Sequence, residues 1–279
     1  MVNPNVAGCA AIRPEIVNGG KSDLGPEDAK MATLGFVFEP TPNLSMTADL
    51  WKIEREGTIQ LLSLTQLVNN NTLFPDRFIR DANGVLTAID QRWINSGETA
   101  TKGVEVSLRG GLEAMGARWT AAWDISYLLG KKSRLLPAVP FGASEIGQFS
   151  FAGDLSLRWK HSASLTAKQG PWSATISQIY RSGYRDQVLP GVQTALSTNQ
   201  PLPPLWKPEV SSYSLYNLSA TYTGIKNLSL TGVVKNLFNT DPPFAVAYDS
   251  NFGSGSSWEP RVADPRGRSF VISAEYKFF

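Results

Sequence analysis

Apolar and polar residues alternate with a period of two along most of this chain. In residues 117–129, Trp119, Trp123 and Ile125 fall on one side, and Thr120 and Asp124 fall on the other. Such alternation is typical of a β-strand with one apolar and one polar face. The pattern predicts nine strands of roughly ten residues, at 31–38, 43–53, 101–110, 117–129, 159–168, 171–180, 214–223, 227–238 and 267–279.

The connections between these strands alternate in length. Short turns are predicted near residues 40–42, 110–116, 169–171 and 224–226. Long segments rich in Gly, Pro, Asn and Ser separate the resulting pairs, at 55–98, 130–158, 185–211 and 240–266. Long unstructured loops are uncommon in compact soluble domains, whereas short turns at one end and long loops at the other are typical of outer-membrane barrels. The sequence therefore predicts an all-β fold, an antiparallel transmembrane β-barrel segment.

Strand length and the aromatic residues agree with this prediction. A tilted strand needs roughly 9–11 residues to cross the hydrocarbon layer. Aromatic residues lie near strand ends, as in the interfacial girdles of membrane barrels; they include Trp119, Tyr127, Trp172, Tyr180 and Tyr222. Two alternatives remain: a soluble β-sandwich binding module, and a structural barrel or adhesin that binds a partner through its loops.

Composition excludes several classes of protein. With 26 basic and 24 acidic residues, the net charge of +2 gives no electrostatic reason to expect nucleic-acid binding. No window of 18 or more apolar residues predicts a transmembrane helix, and the first twenty residues do not resemble a signal peptide. The single cysteine, Cys9, is interpreted as a free thiol in a loop.

The sequence contains no motif of a known catalytic, cofactor or metal site. Its one histidine, His161, lies in a predicted strand and is interpreted as an interfacial or lumenal residue rather than a ligand or base. The glycine-rich stretch 110–116 joins two strands, so it does not resemble a phosphate-binding turn that opens a helix. We expect no enzyme activity and no cofactor.

The segment RSGYRDQ, residues 181–187, combines cations with an aromatic residue at the mouth of a loop. Arginine binds oxyanions through paired hydrogen bonds, so these side chains are candidate contacts for an anionic solute such as a ferric chelate. The alternative is a solvated rim that neutralises anionic lipid of the outer leaflet. The candidate ligand contacts are Arg181, Tyr184, Arg185 and Asp186.

Four short stretches carry a resemblance to a known family. They are ETATKGVEVSL from Glu98, WKHSASLTAKQGPWSATISQIYRSGYRD from Trp159, VVKNLFNTDPP from Val233, and DPRGRSFVISAEYKF before the C-terminus. Together and in this order, they resemble the C-terminal part of TonB-dependent outer-membrane receptors. The aromatic end also resembles the signal that barrel-assembly machinery reads, here Tyr276, Phe278 and Phe279.

The resemblance implies a barrel of 22 strands, of which residues 30–279 supply the last nine and residues 1–29 an extracellular loop. It implies residence in the outer membrane of a Gram-negative bacterium, in contact with its lipid. A plug domain, absent from this sequence, would connect the receptor to the TonB complex, and a scarce solute such as a ferric siderophore would bind the loops. A part without the plug is expected to be inactive alone.

Overall fold

The computed structural model describes residues 13–149, 155–186, 209–245 and 257–278. Cys9 and Phe279, singled out in the sequence, lie outside these residues. The described chain contains fourteen strands and one α-helix, and a 3₁₀ turn spans Pro75–Arg77. In chain order they are β1 (Glu15–Val17), β2 (Asp28–Thr41), β3 (Leu44–Gln60), α1 (Leu64–Asn69), β4 (Phe78–Arg80), β5 (Leu86–Asp90), β6 (Ile94–Ala114), β7 (Ala117–Arg134), β8 (Trp159–Gln169), β9 (Trp172–Arg181), β10 (Tyr184–Arg185), β11 (Glu209–Val210), β12 (Tyr213–Ile225), β13 (Leu228–Lys235) and β14 (Ser269–Tyr276).

The nine predicted strands form one sheet among the described residues, in the order β14-β13-β12-β9-β8-β7-β6-β3-β2. Neighbours along the chain are therefore neighbours in the sheet, and the pairings among β7, β8, β9, β12, β13 and β14 are antiparallel. This confirms the predicted fold class. Within the described ranges, no helix is both long and apolar enough to cross a membrane.

Two-residue turns join β2 to β3, β6 to β7, β8 to β9 and β12 to β13. We call this end of the strands the short-turn end and the opposite end the long-loop end. The seven-residue turn predicted at 110–116 is wrong, because β6 continues to Ala114 and only Met115 and Gly116 turn. Both have positive φ, 54° and 73°, the conformation that a tight hairpin turn requires.

The structure divides into two compact units. The described part of the first comprises residues 13–31, 53–100 and 132–143. Its loop, predicted as a long irregular segment at 55–98, instead contains α1, β4 and β5, and β1 pairs in parallel with β5. Sequence periodicity does not reveal these elements, because the helix is shorter than two turns and each strand is shorter than six residues. Leu62, Leu67, Phe74 and Ile89 form the buried core of this unit.

The second unit holds the remaining described residues, including most of the sheet. Register partners share a face, so the pairings connect Ile125 to His161, His161 to Tyr180, and Tyr180 to Ser214. The face that contains these residues is predominantly apolar and exposed; we call it the apolar face. Its members include Trp119, Trp123, Leu165, Ile176, Leu218, Leu230, Phe270 and Ile272.

The opposite face of the same strands is rich in serine and threonine; we call it the polar face. Thr166 pairs with Thr175 across β8 and β9, and their hydroxyl oxygens are 2.7 Å apart. Thr221 and Thr231 repeat this contact between β12 and β13 at 3.0 Å. Hydroxyl pairs of this kind satisfy one another across a sheet without charge.

Candidate functional site

Two cations lie side by side on the polar face at the long-loop end. The Cα of Lys160 in β8 pairs with that of Arg181 in β9, and with Ser126 in β7. Arg181 in turn pairs with Tyr213 in β12. We call these four residues the upper row. Directly opposed like charges destabilise a strand pair, so this arrangement indicates a site that attracts an anion.

The two cations differ in how their charges are used. The Lys160 side chain is exposed and forms no ion pair or hydrogen bond among the described residues. A guanidinium nitrogen of Arg181, Nη1, donates to the carbonyl oxygen of Val262 in the loop after β13. The Tyr213 hydroxyl donates to the neighbouring Asp264 carbonyl at 3.2 Å. The loop thus holds Arg181 in place, while Lys160 remains available.

Beside the upper row, three loops pack into one apolar cluster. Its buried members are Leu155, Leu157, Tyr184, Val210, Ala245 and Val262. Arg261 covers the adjacent Phe149 ring at 5.1 Å from its centroid and binds Glu259 through two hydrogen bonds, of 2.8 Å and 2.9 Å. Loops packed around their own side chains have a defined conformation, which positions the residues beside them.

The four predicted ligand contacts do not share one environment. Tyr184 is 4% exposed within the loop cluster, and burial raises the pKa of its hydroxyl. Asp186 is also buried. Arg185 exposes its side chain, while its backbone N–H donates to the Gly147 carbonyl at 2.7 Å. Arg181 belongs to the upper row, so the structure leaves Arg181 and Arg185 as the accessible cations of the four.

Sequence reasoning missed Lys160. Lys160 precedes His161 in a strand whose apolar and polar positions alternate, which already placed it on the polar face. Lysines on such a face are common, however. Only the register, which sets Lys160 opposite Arg181, shows that the two charges are adjacent. That pairing depends on where the 169–171 turn begins, and a slip by one residue would move Lys160 to the other face.

His161 lies on the apolar face, among aromatic rings at the long-loop end. It stacks on Tyr180 at 4.9 Å between centroids and meets the edge of Trp123 at 5.7 Å. Its Nε2 is 3.3 Å from Oε1 of Gln178. The described residues contain no group of three or more His, Cys, Asp or Glu side chains that could hold a metal ion. The histidine packs within this aromatic layer; that it is neither a ligand nor a base stays a prediction.

The motif that ends β13 forms a tight turn held by two asparagines. Asn236 is buried, and its side chain both donates to the Thr240 carbonyl at 2.9 Å and accepts from the Thr240 N–H at 2.8 Å. The Asn239 side chain accepts from the Arg268 N–H at 2.8 Å. Both asparagines have positive φ, which asparagine tolerates better than most residues. This motif therefore connects β13 to the segment that precedes β14.

The predicted assembly signal is aromatic and exposed where it is described. Tyr276 and Phe278 meet edge to face at 5.1 Å and are exposed on the apolar side. Tyr276 is the register partner of Leu228, at the short-turn end of β13. Its role as a signal stays a prediction.

Comparison with known proteins identifies relatives of this fold. The family model described as "TonB dependent receptor-like, beta-barrel" matches residues 6–237. No curated protein matches the chain.

Among solved structures, a mutant ferric enterobactin receptor of Pseudomonas aeruginosa, PfeA, in complex with enterobactin matches with a TM-score of 0.58 and 17% identity over 93% of this chain. The ferric-catecholate import receptor Fiu of E. coli matches with a TM-score of 0.54 and 15% identity over 92%. The copper transporter OprC matches with a TM-score of 0.53 and 15% identity over 92%. The chain spans 32%, 28% and 32% of these three chains, respectively.

Proposed function

The chain belongs to the TonB-dependent receptor β-barrel family, and we propose that it forms the last nine strands of a receptor for active uptake of a scarce solute, such as a ferric siderophore. In this proposal residues 30–279 are barrel wall and residues 1–29 an extracellular loop. The remaining strands and the plug, through which the TonB complex acts, are supplied by sequence outside this chain. The chain supplies part of the barrel wall and of the binding surface at its rim, and it is inactive alone.

The apolar face supports a membrane position for the sheet. Phe270 and Ile272 are 71% and 88% exposed, and burying such side chains in lipid is favourable by about 1.5–3 kcal/mol each. Trp172 and Tyr180 are eight residues apart on β9, about 27 Å along a strand. If the strand is tilted by about 40°, the two residues are separated by roughly 21 Å along the membrane normal. This distance is comparable with the ~25 Å apolar band of outer-membrane barrels. We therefore propose the outer membrane of a Gram-negative bacterium as its location.

The polar face then lines the lumen, with the long-loop end outside the cell. The upper row is the observation that carries the substrate proposal, because two adjacent cations favour an anion. Ferric chelates with carboxylate or catecholate donors commonly carry net negative charge, whereas a bare metal cation such as copper would be repelled. PfeA is a ferric enterobactin receptor and Fiu a ferric-catecholate import receptor; a ferric chelate is proposed here as well.

The decisive experiment measures uptake of radioactive iron, supplied as a ferric catecholate, by the bacterium that encodes the chain. Lys160→Gln should weaken uptake roughly tenfold at low solute concentration, because one charge-assisted hydrogen bond contributes about 1.5 kcal/mol. Adding Arg181→Gln should weaken it further. Arg158→Gln is the matched control, since Arg158 lies at the same strand end but covers Tyr127 on the apolar face.

Two results would contradict the proposal. Uptake that is unchanged when the gene is deleted would contradict the transport role. If the deletion instead reduced attachment of the cells to a surface or partner, the adhesin alternative would be favoured. Absence of the chain from the urea-resistant outer-membrane fraction would contradict the membrane position. The coding sequence before Met1 gives an independent test, since the proposal expects a signal peptide, a plug and about thirteen strands there.

A further inference from the structure

The segment that precedes β14 contacts the upper row. We call residues 259–266 the strap; all of them belong to the second unit. The chain is tied down on both sides of the strap, because the Ala245 N–H donates to the Ser257 carbonyl at 2.9 Å and the Arg268 N–H donates to the Asn239 side chain at 2.8 Å. Between these ties, Val262 is 2% exposed and packs within the loop cluster. The strap therefore follows a defined path at the long-loop end.

Two short turns shape the strap. In each turn an acidic residue lies two positions before an arginine, and it accepts hydrogen bonds from the arginine's backbone N–H and from its guanidinium. Glu259 binds Arg261 in this way at 3.0 Å, 2.8 Å and 2.9 Å, and Asp264 binds Arg266 at 3.0 Å and 2.9 Å. The residue between each pair is proline, which restricts the backbone. The four charges of the strap thus neutralise one another.

The strap meets the upper row through two backbone carbonyls. Nη1 of Arg181 donates to the Val262 carbonyl, and the Tyr213 hydroxyl donates to the Asp264 carbonyl at 3.2 Å. Tyr213 is 3% exposed, and a buried hydroxyl without a partner is destabilising. Its contact therefore fixes the strap against β12. Because the two carbonyls are two residues apart, Tyr213 also sets the position of the carbonyl that Arg181 binds.

This geometry leaves one edge of the Arg181 guanidinium unused. A guanidinium has five N–H donors, and in Arg181 only Nη1 makes a hydrogen bond among the described residues. Nε and Nη2 form an edge that can bind two oxygens of an oxyanion at once. Lys160, the register partner of Arg181, is exposed beside it. Unlike the two strap arginines, Arg181 has no acidic residue two positions before it, where Ile179 lies.

We propose that Tyr213 and the strap position Arg181 for anion binding. Tyr213 holds the strap, the Val262 carbonyl takes one nitrogen of Arg181, and the free edge of the guanidinium binds paired oxygens of a carboxylate or catecholate together with Lys160. This role rests on the proposed uptake of an anionic ferric chelate. Tyr213 donates its only hydroxyl hydrogen to the strap, so it is a positioning residue that acts through Arg181.

The test is a double-mutant cycle on binding of a radioactive ferric catecholate, measured on ice so that uptake is stopped, with whole cells of the bacterium that encodes the chain. Tyr213→Phe should weaken binding about threefold, because it removes one neutral hydrogen bond and keeps the ring. Arg181→Gln should weaken binding about tenfold, because it removes a charge-assisted contact. The double variant should bind no more weakly than Arg181→Gln alone, because residues that act through one group are not additive.

Two further variants separate positioning from charge and from general stability. Arg181→Lys keeps the charge, but an ammonium has no planar two-nitrogen edge, so it should weaken binding about as much as Arg181→Gln. Tyr222→Phe is the matched control, since Tyr222 lies on the same strand but on the apolar face at the short-turn end. It should leave binding within about twofold, as surface substitutions usually do.

Hydrogen exchange in outer-membrane preparations of the same cells reports on the strap itself. The N–H groups of Val262 and Ala263 both donate to the Glu259 carbonyl at 3.0 Å. Their exchange should become faster in Tyr213→Phe, because the contact that fixes the strap is lost. It should stay unchanged in Tyr222→Phe.

Several results would overturn this role and leave the uptake proposal standing. They are additive losses from Tyr213→Phe and Arg181→Gln, full binding by Arg181→Lys, and unchanged binding or unchanged exchange in Tyr213→Phe. Faster exchange without weaker binding would show that Tyr213 fixes the strap but does not position Arg181. If the unaltered chain binds no ferric catecholate, the uptake proposal fails and the positioning role fails with it.

Discussion

The loop at residues 61–93 and the sheet of the second unit place their apolar side chains in opposite ways. In the loop, Leu67 is 1% exposed at the centre of a small core that also holds Leu62, Phe74 and Ile89. On the sheet, Ile272 is 88% exposed, and serine and threonine lie on the other face. Both regions come from one chain with the same residue types.

The difference agrees with the proposal that the sheet meets lipid while the loop meets water. A loop in water must bury its apolar side chains internally. This loop also contains a buried ion network. Arg92 binds Asp90 at 2.8 Å and 2.9 Å, and Arg77 lies 3.5 Å from the same carboxylate. A strand in lipid can leave its apolar side chains outward, since lipid replaces the core as their partner. The following predictions test this distinction, from the largest expected effect to the smallest.

Removing the buried carboxylate should have the largest effect on the loop. In Asp90→Ala the Arg77 side chain, 9% exposed, would lose its buried counter-ion, and breaking such a pair costs about 3–5 kcal/mol. The urea midpoint of the Ile89 methyl signal in nuclear magnetic resonance measures local unfolding. Asp76→Ala, an exposed residue of the same loop that makes no ion pair or hydrogen bond among the described residues, is the control. A similar midpoint in both variants would show that the network does not stabilise the loop.

The same leucine substitution should have unequal consequences in the two regions. Leu67→Ala should destabilise the loop by about 3 kcal/mol, because the lost burial is accompanied by a cavity. Leu165→Ala on the apolar face, where the leucine is 42% exposed, should cost less because lipid can fill the space. Urea unfolding, read from Ile89 for the first and from sheet circular dichroism for the second, measures both. Equal costs would contradict a lipid environment for Leu165.

Adjacent residues of β14 test which face meets lipid. Ile272→Arg should cost about 2–4 kcal/mol at the bilayer midplane and lower the fraction of chain in the urea-resistant outer membrane. Ser273→Arg places the same charge on the polar face and should insert nearly normally. The second pair, Ala121→Arg and Thr120→Arg, should repeat the contrast on β7. Equal losses within each pair would overturn the assignment of the faces.

Acid should weaken the loop. The hydrogen bonds from Arg92 lower the pKa of Asp90 from 3.8 to about 2. Since this pKa is lower in the folded state, its contribution, about 2 kcal/mol, is present above about pH 4 and is lost as the pH falls towards about 2. The Ile89 midpoint should fall over this range in the natural chain and change less in Asp90→Asn. A parallel decline in both would exclude Asp90 as the cause.

The candidate site shows how far sequence reasoning reaches. Arg181 was identified in the sequence as a cation near an aromatic residue at the mouth of a loop. The structure places it in the upper row. Tyr184 looked similar in sequence but is buried, because its loop packs against Val210 and Val262. Helix α1 was missed because six residues with one buried leucine carry too little periodicity.

By itself, the sequence determined the nine strands, their two faces and the family, because alternation with a period of two and short motifs are local properties of the chain. Tertiary structure alone decided the register that sets Lys160 against Arg181 and Lys168 against Arg118. It also decided which loop residues are buried. The pairing of Arg118 with Lys168 joins strands separated by a long loop, and that of Lys160 with Arg181 depends on the exact start of one turn; alternation alone specifies neither.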